Sequence, residues 1–193
     1  MAEARTNPPR HMTVAEFMDL ESTGTIGKLE LVDGQVRAMS PASPTHSLIQ
    51  ANLAYLLGRH VRKHRPTCRV GTEAPIVPRL HANDNVRAPD LAVICKPEPA
   101  SKAFVDPILI VEVLSPGNKR ETWESIRALA TIPALQDILV VDSEDISVEL
   151  FSRDASGHWP ASGQTVTSGS VLLASLDFAM PLAEIYAGTQ LVG

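Results

Sequence analysis

The sequence predicts an α+β fold, a mixed β-sheet flanked by helices, and three observations carry that reading. Residues 44–65 place apolar side chains at three- and four-residue spacing, the period of a long helix with one buried face. The run "PILIVEVLS" is apolar on both alternating faces, as a central strand covered on two sides is. The order of elements is irregular: helix, hairpin, long helix, strands, helix, strands, which does not fit repeated βαβ units. With 193 residues the chain is long enough for one domain with a sizeable core and short for two. The expected layout is a flexible N-terminus over 1–11 and a single domain over 12–193.

The first helix opens at "TVAEFMDLES", where Thr13 and Glu16 have the spacing of a capping box and Val14, Phe17 and Met18 fall on one face. Next, "KLELVDGQVRAMS" alternates around Asp33-Gly34, a dipeptide suited to a tight hairpin turn. That places Glu30 on a strand just before the turn, with Leu29 and Leu31 on the opposite face. The long helix follows, capped by Ser43 or Thr45. Its inward stripe is Ile49, Leu53, Leu56, Leu57 and Val61, with His46 at the stripe's start. Short strands are read at "CRVGTE", "DLAVIC" and "ILIVEVLS". A helix over "ETWESIRALAT" comes next, then strands at "DILVVD" and "SVELFSR" with a turn at "SRDASGHW". The tail "LDFAMPLAEIY" reads as a strand entering a short helix, with Pro181 tolerated at its first turn.

Composition narrows the function classes. The longest apolar run is far shorter than a membrane span, and the N-terminal "MAEARTNPPRHM" has no apolar segment of the kind that directs secretion. Cys68 and Cys95 belong to no CxxC or zinc-like pattern, so a cytoplasmic, reducing location is the default expectation. The formal net charge of -5 argues against a surface given over to nucleic acid, while leaving room for a local basic patch.

One residue inside the central strand calls for explanation. Glu112 stands among Ile108, Leu109, Ile110, Val111, Val113 and Leu114, and an ionised carboxylate there costs several kcal/mol unless a cation or donors compensate it. Two readings are open: an acid at the strand's open end, paired with an arginine or capping a helix, or part of a site. Asp90 bears on the choice, because it begins "DLAVIC" and the two strands, if adjacent, bring both acids to one end of the sheet. Mg²⁺ is held by one or two carboxylates with waters and substrate phosphates, and such a pair supplies half of that shell.

The segments "LELVDGQVRAMSPASPTH", "VRAPDLAVIC", "PILIVEVLSPGN" and "MPLAEIY", in this order, resemble the Uma2 family of restriction endonucleases within the PD-(D/E)xK nuclease-like superfamily, from about Met12 to Tyr186. The resemblance implies a restriction-endonuclease-like sheet, a site for Mg²⁺ or Mn²⁺ and cleavage of phosphodiester bonds. It makes Asp90 and Glu112 metal ligands with the Val113 carbonyl as a further donor, Glu30 an additional acid, and His46 a residue at the mouth of the site. The superfamily's lysine, two residues after the second acid, is Leu114 here. The lysine that the family commonly takes from the following helix, about two turns before "IP", falls on Ser125. Lys119 is then the nearest candidate for the missing cation, with Arg120 and Arg127 beyond it.

The expected function is a metal-dependent endonuclease, with impaired catalysis, acting on nucleic acid, DNA by preference. The rival is a catalytically silent protein that binds nucleic acid or a protein partner through the same cleft. A third reading is an oligomerising structural protein in which the acids pair with Arg87 and Arg37. The weakly charged helix over 121–131 and the edge strands favour a homodimer.

Overall fold

The computed structural model describes residues 11–21, 28–96 and 102–192. Of the N-terminal stretch expected to be flexible, all but His11 lies outside the described residues. Helix α1 (Val14–Glu21) begins at the expected capping box: the Thr13 N–H donates to Glu16 Oε2 at 2.9 Å and the Glu16 N–H to Thr13 Oγ1 at 3.4 Å. Strands β1 (Leu29–Val32) and β2 (Gln35–Ala38) form the hairpin around Asp33 and Gly34. Both turn residues have positive φ, 47° and 76°, as the favoured two-residue turn demands.

Helix α2 (Pro44–His64) is capped by Ser43, whose hydroxyl accepts the His46 N–H at 3.2 Å. The cap and Pro44 at the first position fix where the helix starts. That start decides where His46 stands. The remaining elements are β3 (Arg69–Thr72), β4 (Leu91–Ile94), β5 (Leu109–Leu114), α3 (Lys119–Leu129), β6 (Asp137–Asp142), β7 (Val148–Ser152), β8 (Gln164–Val166), β9 (Ser170–Leu173), β10 (Phe178–Pro181) and α4 (Leu182–Ile185). Six of them form one sheet in the order β3-β4-β5-β6-β7-β8. The β5–β6 pair is parallel and the others are antiparallel, so the sheet is mixed and the fold is α+β. Parallel pairing needs a crossover, and α3 provides it.

Strand β5 is central and buried on both faces. Leu109, Val111 and Val113 pack with Ile49, Leu53 and Leu57 of α2 and with the C-terminal Met180, Leu182 and Tyr186. Ile110 packs on the opposite face with Ile126 and Leu129 of α3 and Ile138 of β6. A third cluster, Phe17, Met18, Leu29, Leu31 and Val86, seats α1 and the hairpin. Glu112 alternates with Ile110, so it belongs to the face covered by α3. The apolar side of α3, expected to favour a homodimer, buries Ile126, Ala128 and Leu129 within this chain.

Strands β8 and β9 have no counterpart in the sequence reading. Both are three or four residues long: β8 is a polar edge strand with no buried residue, and β9 buries Val171 and Leu173 in alternation, but its exposed Leu172 is apolar too and hides the period in the sequence. The two cysteines are bonded to each other across 27 residues of sequence. Their spacing carries no motif; they meet because β3 and β4 pair with Arg69 opposite Ile94, a register that sets Cys68 against Cys95.

Tyr186, in the C-terminal "MPLAEIY", braces the β6–β7 connection. Its hydroxyl accepts the Ser147 N–H at 3.1 Å and lies 3.0 and 2.7 Å from the Asp142 and Ser147 carbonyl oxygens. Burial pushes this phenol up to about 12, so it stays protonated and able to donate. Tyr186→Phe is expected to cost about 1–3 kcal/mol, because a buried N–H and two carbonyls lose their partner. A shift in the urea midpoint at unchanged slope would measure it.

Candidate metal and phosphodiester site

The register of β4 on β5 builds the centre. Leu91 lies opposite Val111 and Ala92 opposite Ile110, so one further step sets Asp90 beside Glu112. The two acids thus stand at one end of the sheet on neighbouring strands, as the sequence led us to expect. Both are buried, Asp90 at 4% and Glu112 at 5% exposure.

Asp90 is heavily partnered. Its Oδ2 accepts the Val113 N–H at 2.8 Å, and its Oδ1 lies 3.1 Å from Lys28 Nζ and 3.4 Å from His46 Nε2. Burial pushes the Asp90 carboxyl up. The His46 hydrogen bond, the Lys28 charge and the Val113 N–H together outweigh it and hold the group below the usual carboxylate range. Glu112 goes the other way: burial, then the Asp90 charge, push it well above the ordinary value, with Lys28 opposing and Glu30 adding to the rise. Two adjacent carboxylates with one near cation split in this way, one acid held down and its neighbour pushed up.

Glu30 sits on the β1 face opposite Leu29 and Leu31. Arg87 Nη1 lies 3.3 Å from its Oε2, and the Ala88 N–H donates to its Oε1 at 3.0 Å. The pairing with Arg87 anticipated for a purely structural acid is therefore present for Glu30. Arg37 pairs with Glu124 at 3.4 Å instead. His46 is turned inward at the first turn of α2, with Nδ1 3.1 Å from Ser115 Oγ.

Lys119 does not reach the acids. It opens α3, is half-exposed and pairs with Glu144 at 3.5 Å. The ammonium against Asp90 belongs to Lys28, which the sequence reading did not single out. Burial lowers its affinity for the proton, but Asp90, Glu112 and Glu30 more than compensate and raise its pKa. A signal was available: Lys28 is two residues before Glu30, so both project from one face of the hairpin strand. The Met39 N–H donates to the Lys28 carbonyl at 2.9 Å and extends the hairpin by that one pair. Ser125, at the position matched to the family's helical lysine, is buried and its hydroxyl has no hydrogen-bond partner among the described residues.

A cavity of about 490 Å³ opens over the Asp90 side of this centre, lined by Lys28, His46, Glu73, Asp90, Ser115 and Asn118 among others, with Glu112 and Glu30 behind its wall. A second hollow of about 460 Å³ shares Met39, Ser40, Gly117 and Asn118 with it and carries Arg37 and Arg120. The donors suit a hard divalent cation: two carboxylates without thiolate. Among the described residues no three or more His, Cys, Asp and Glu side chains gather into a metal cage. One or two carboxylates are the usual protein ligands of Mg²⁺ when substrate and water complete its shell.

The sheet, its flanking helices and the acids at its end define a restriction-endonuclease-like fold. A crystal structure described as a putative nuclease belonging to DUF820, from Anabaena variabilis, superposes with a TM-score of 0.67 over 91% of this chain and 98% of its own, at 18% identity. Residues 14–183 match the Uma2 family, described as "Putative restriction endonuclease", and the chain belongs to that family. Two uncharacterized Synechocystis proteins are similar. One is 33% identical over 135 residues, covering 68% of this chain and 70% of its own length; the other is 27% identical over 157 residues, covering 77% and 84%.

Proposed function

We propose that the protein is a divalent-metal-dependent endonuclease that hydrolyses phosphodiester bonds of nucleic acid, DNA by preference, at the cavity above Asp90. The observation that supports this best is the placement of two buried carboxylates side by side at the open end of the sheet. Asp90 and Glu112, with the Val113 carbonyl, would hold Mg²⁺ or Mn²⁺. The bound ion would supply a Lewis acid for the phosphoryl oxygens. Glu30, fixed by Arg87 and the Ala88 N–H, is set to orient a water through whichever oxygen lone pairs remain. The Lys28 ammonium offsets negative charge near the scissile group. His46 holds Asp90 from one ring nitrogen while Ser115 fixes the other, so the imidazole keeps one orientation.

A second reading, a catalytically silent nucleic-acid-binding protein, is favoured by one observation. Ser125 stands where the family's lysine is matched, and a serine carries no charge.

Binding of Mn²⁺ to the folded chain is expected to raise the melting temperature, with stabilisation of about 2.7 kcal/mol at a hundredfold excess over Kd. Asp90→Asn is expected to abolish that shift together with cleavage of plasmid and single-stranded DNA. Mn²⁺ stabilisation without any cleavage would select the silent binder. The absence of a shift with either ion would remove the metal site.

A further inference from the structure

Lys28 is a nearly buried ammonium, 17% exposed, in contact with an acid that a metal also needs. Asp90 has both oxygens engaged, Oδ2 by the Val113 N–H and Oδ1 by Lys28 and His46. These contacts take three of the carboxylate's roughly four lone-pair sites, so a divalent cation can chelate both oxygens only if a partner of Oδ1 leaves. The Val113 N–H is fixed in the backbone of β5. His46 is tethered at its other nitrogen by Ser115 and lies in the capped first turn of α2. Lys28 holds on through a flexible four-carbon stem and carries the charge a cation would replace. It also lines the cavity, so its ammonium has somewhere to go.

We propose that Lys28 is an exchanging counter-cation: it neutralises Asp90 in the metal-free protein and, when a divalent cation takes Asp90, turns its ammonium into the cavity to bind a phosphate oxygen of the substrate. The proposal rests on the metal-dependent reading above and adds a residue to it. It makes Lys28 a competitor for metal and a helper in cleavage, two effects of opposite sign that a merely structural lysine would not have. The other candidates do not offer this charge: Lys119 pairs with Glu144, and Ser125 is neutral.

The test is calorimetric titration of Mn²⁺ into the full chain, its Lys28→Met variant and an Asp90→Ala control, with plasmid cleavage at saturating Mn²⁺ on the same samples. Lys28→Met is expected to bind Mn²⁺ about 10-fold more tightly, since a competing charge is gone. Its cleavage should be slower by about 100-fold, the scale of a lost charge-stabilising group. Lys28→Gln, which keeps a hydrogen bond to Asp90 without the charge, should show the same pattern and serves if the methionine variant folds poorly. Equal or weaker Mn²⁺ binding by the variants overturns the exchange, as does undiminished cleavage, or an unaltered protein that binds Mn²⁺ and cleaves nothing. If Mn²⁺ binding is lost in Asp90→Ala, the metal site stands even when the exchange falls. If neither the unaltered protein nor the Lys28 variants bind Mn²⁺, both ideas fall together.

Discussion

Replacing Arg87 by Met is expected to destabilise the protein by about 3–5 kcal/mol, because it strands the Glu30 carboxylate in the interior without its cation. Both members of the pair are almost fully buried, and Arg87 Nη2 also lies 3.2 Å from Asn85 Oδ1, so no solvent is at hand to replace the lost contact. The double variant Glu30→Gln with Arg87→Met should recover much of the loss, since the penalty belongs to the unpaired charge rather than to the missing attraction. Equilibrium denaturation in urea reads both values. The double variant also separates the two roles open to Glu30. A folded double variant that still cleaves DNA would make Glu30 a structural acid only, whereas a folded and inactive one would place it in the chemistry.

The second large effect belongs to Glu112. Glu112→Gln is expected to stabilise the metal-free protein at pH 8 by about 1–3 kcal/mol, the order of cost of a buried charge that water and donors compensate poorly. The sign follows from its pKa, raised well above 4.5 in the fold. Below the unfolded value the carboxyl is neutral in both states and the substitution changes little. As pH rises from there through the folded value, the unfolded chain ionises first and the unaltered protein loses stability that the glutamine variant keeps. Asp90 runs opposite: its lowered pKa makes it a source of stability above 3.8 that is lost as pH falls through the folded value. Melting curves between pH 2 and 8 test the pair, with the Asp90 loss below 3.8 and the Glu112 effect above 4.5. A Glu112→Gln gain that is constant with pH would contradict a raised pKa. Metal binding should strengthen with pH over the same window, since Glu112 must lose its proton to ligate. In Glu112→Gln the stabilisation by Mn²⁺ should largely disappear.

Much of this architecture was legible because its signals are local or periodic. The capping box at Thr13 and Glu16, the Asp33-Gly34 turn, the α2 stripe and the two-faced β5 run each specify their element over a few residues. The placement of Asp90 beside Glu112 was legible too, since an acid within an apolar strand asks for a nearby answer. What could not be read was which cation comes near. Lys119 is close to Glu112 in sequence, but it opens a helix that turns it toward Glu144. Lys28 is 84 positions before Glu112, and only the seating of the hairpin brings it in. That seating depends on backbone bonds between Leu31 and Val86, which no side-chain pattern announces. The cysteine pair was illegible for the same reason, being a product of strand register.

That cross-strand bond has a further consequence, for the chain before it folds. The span from Cys68 to Cys95 contains β3, the segment that carries Arg87, and Asp90 itself, so the linkage closes a loop around one half of the acid centre. In the entropy picture a loop of this length takes about 3–4 kcal/mol of freedom from the unfolded ensemble. Glu112 and Lys28 lie outside the loop and receive no such help. Oxidation therefore shortens the search by which the segment bearing Asp90 returns on itself, while leaving its meeting with Glu112 to the pairing of β4 on β5. Reduction of the disulfide to two thiols would then act on how often the centre is assembled and leave its charges as they are.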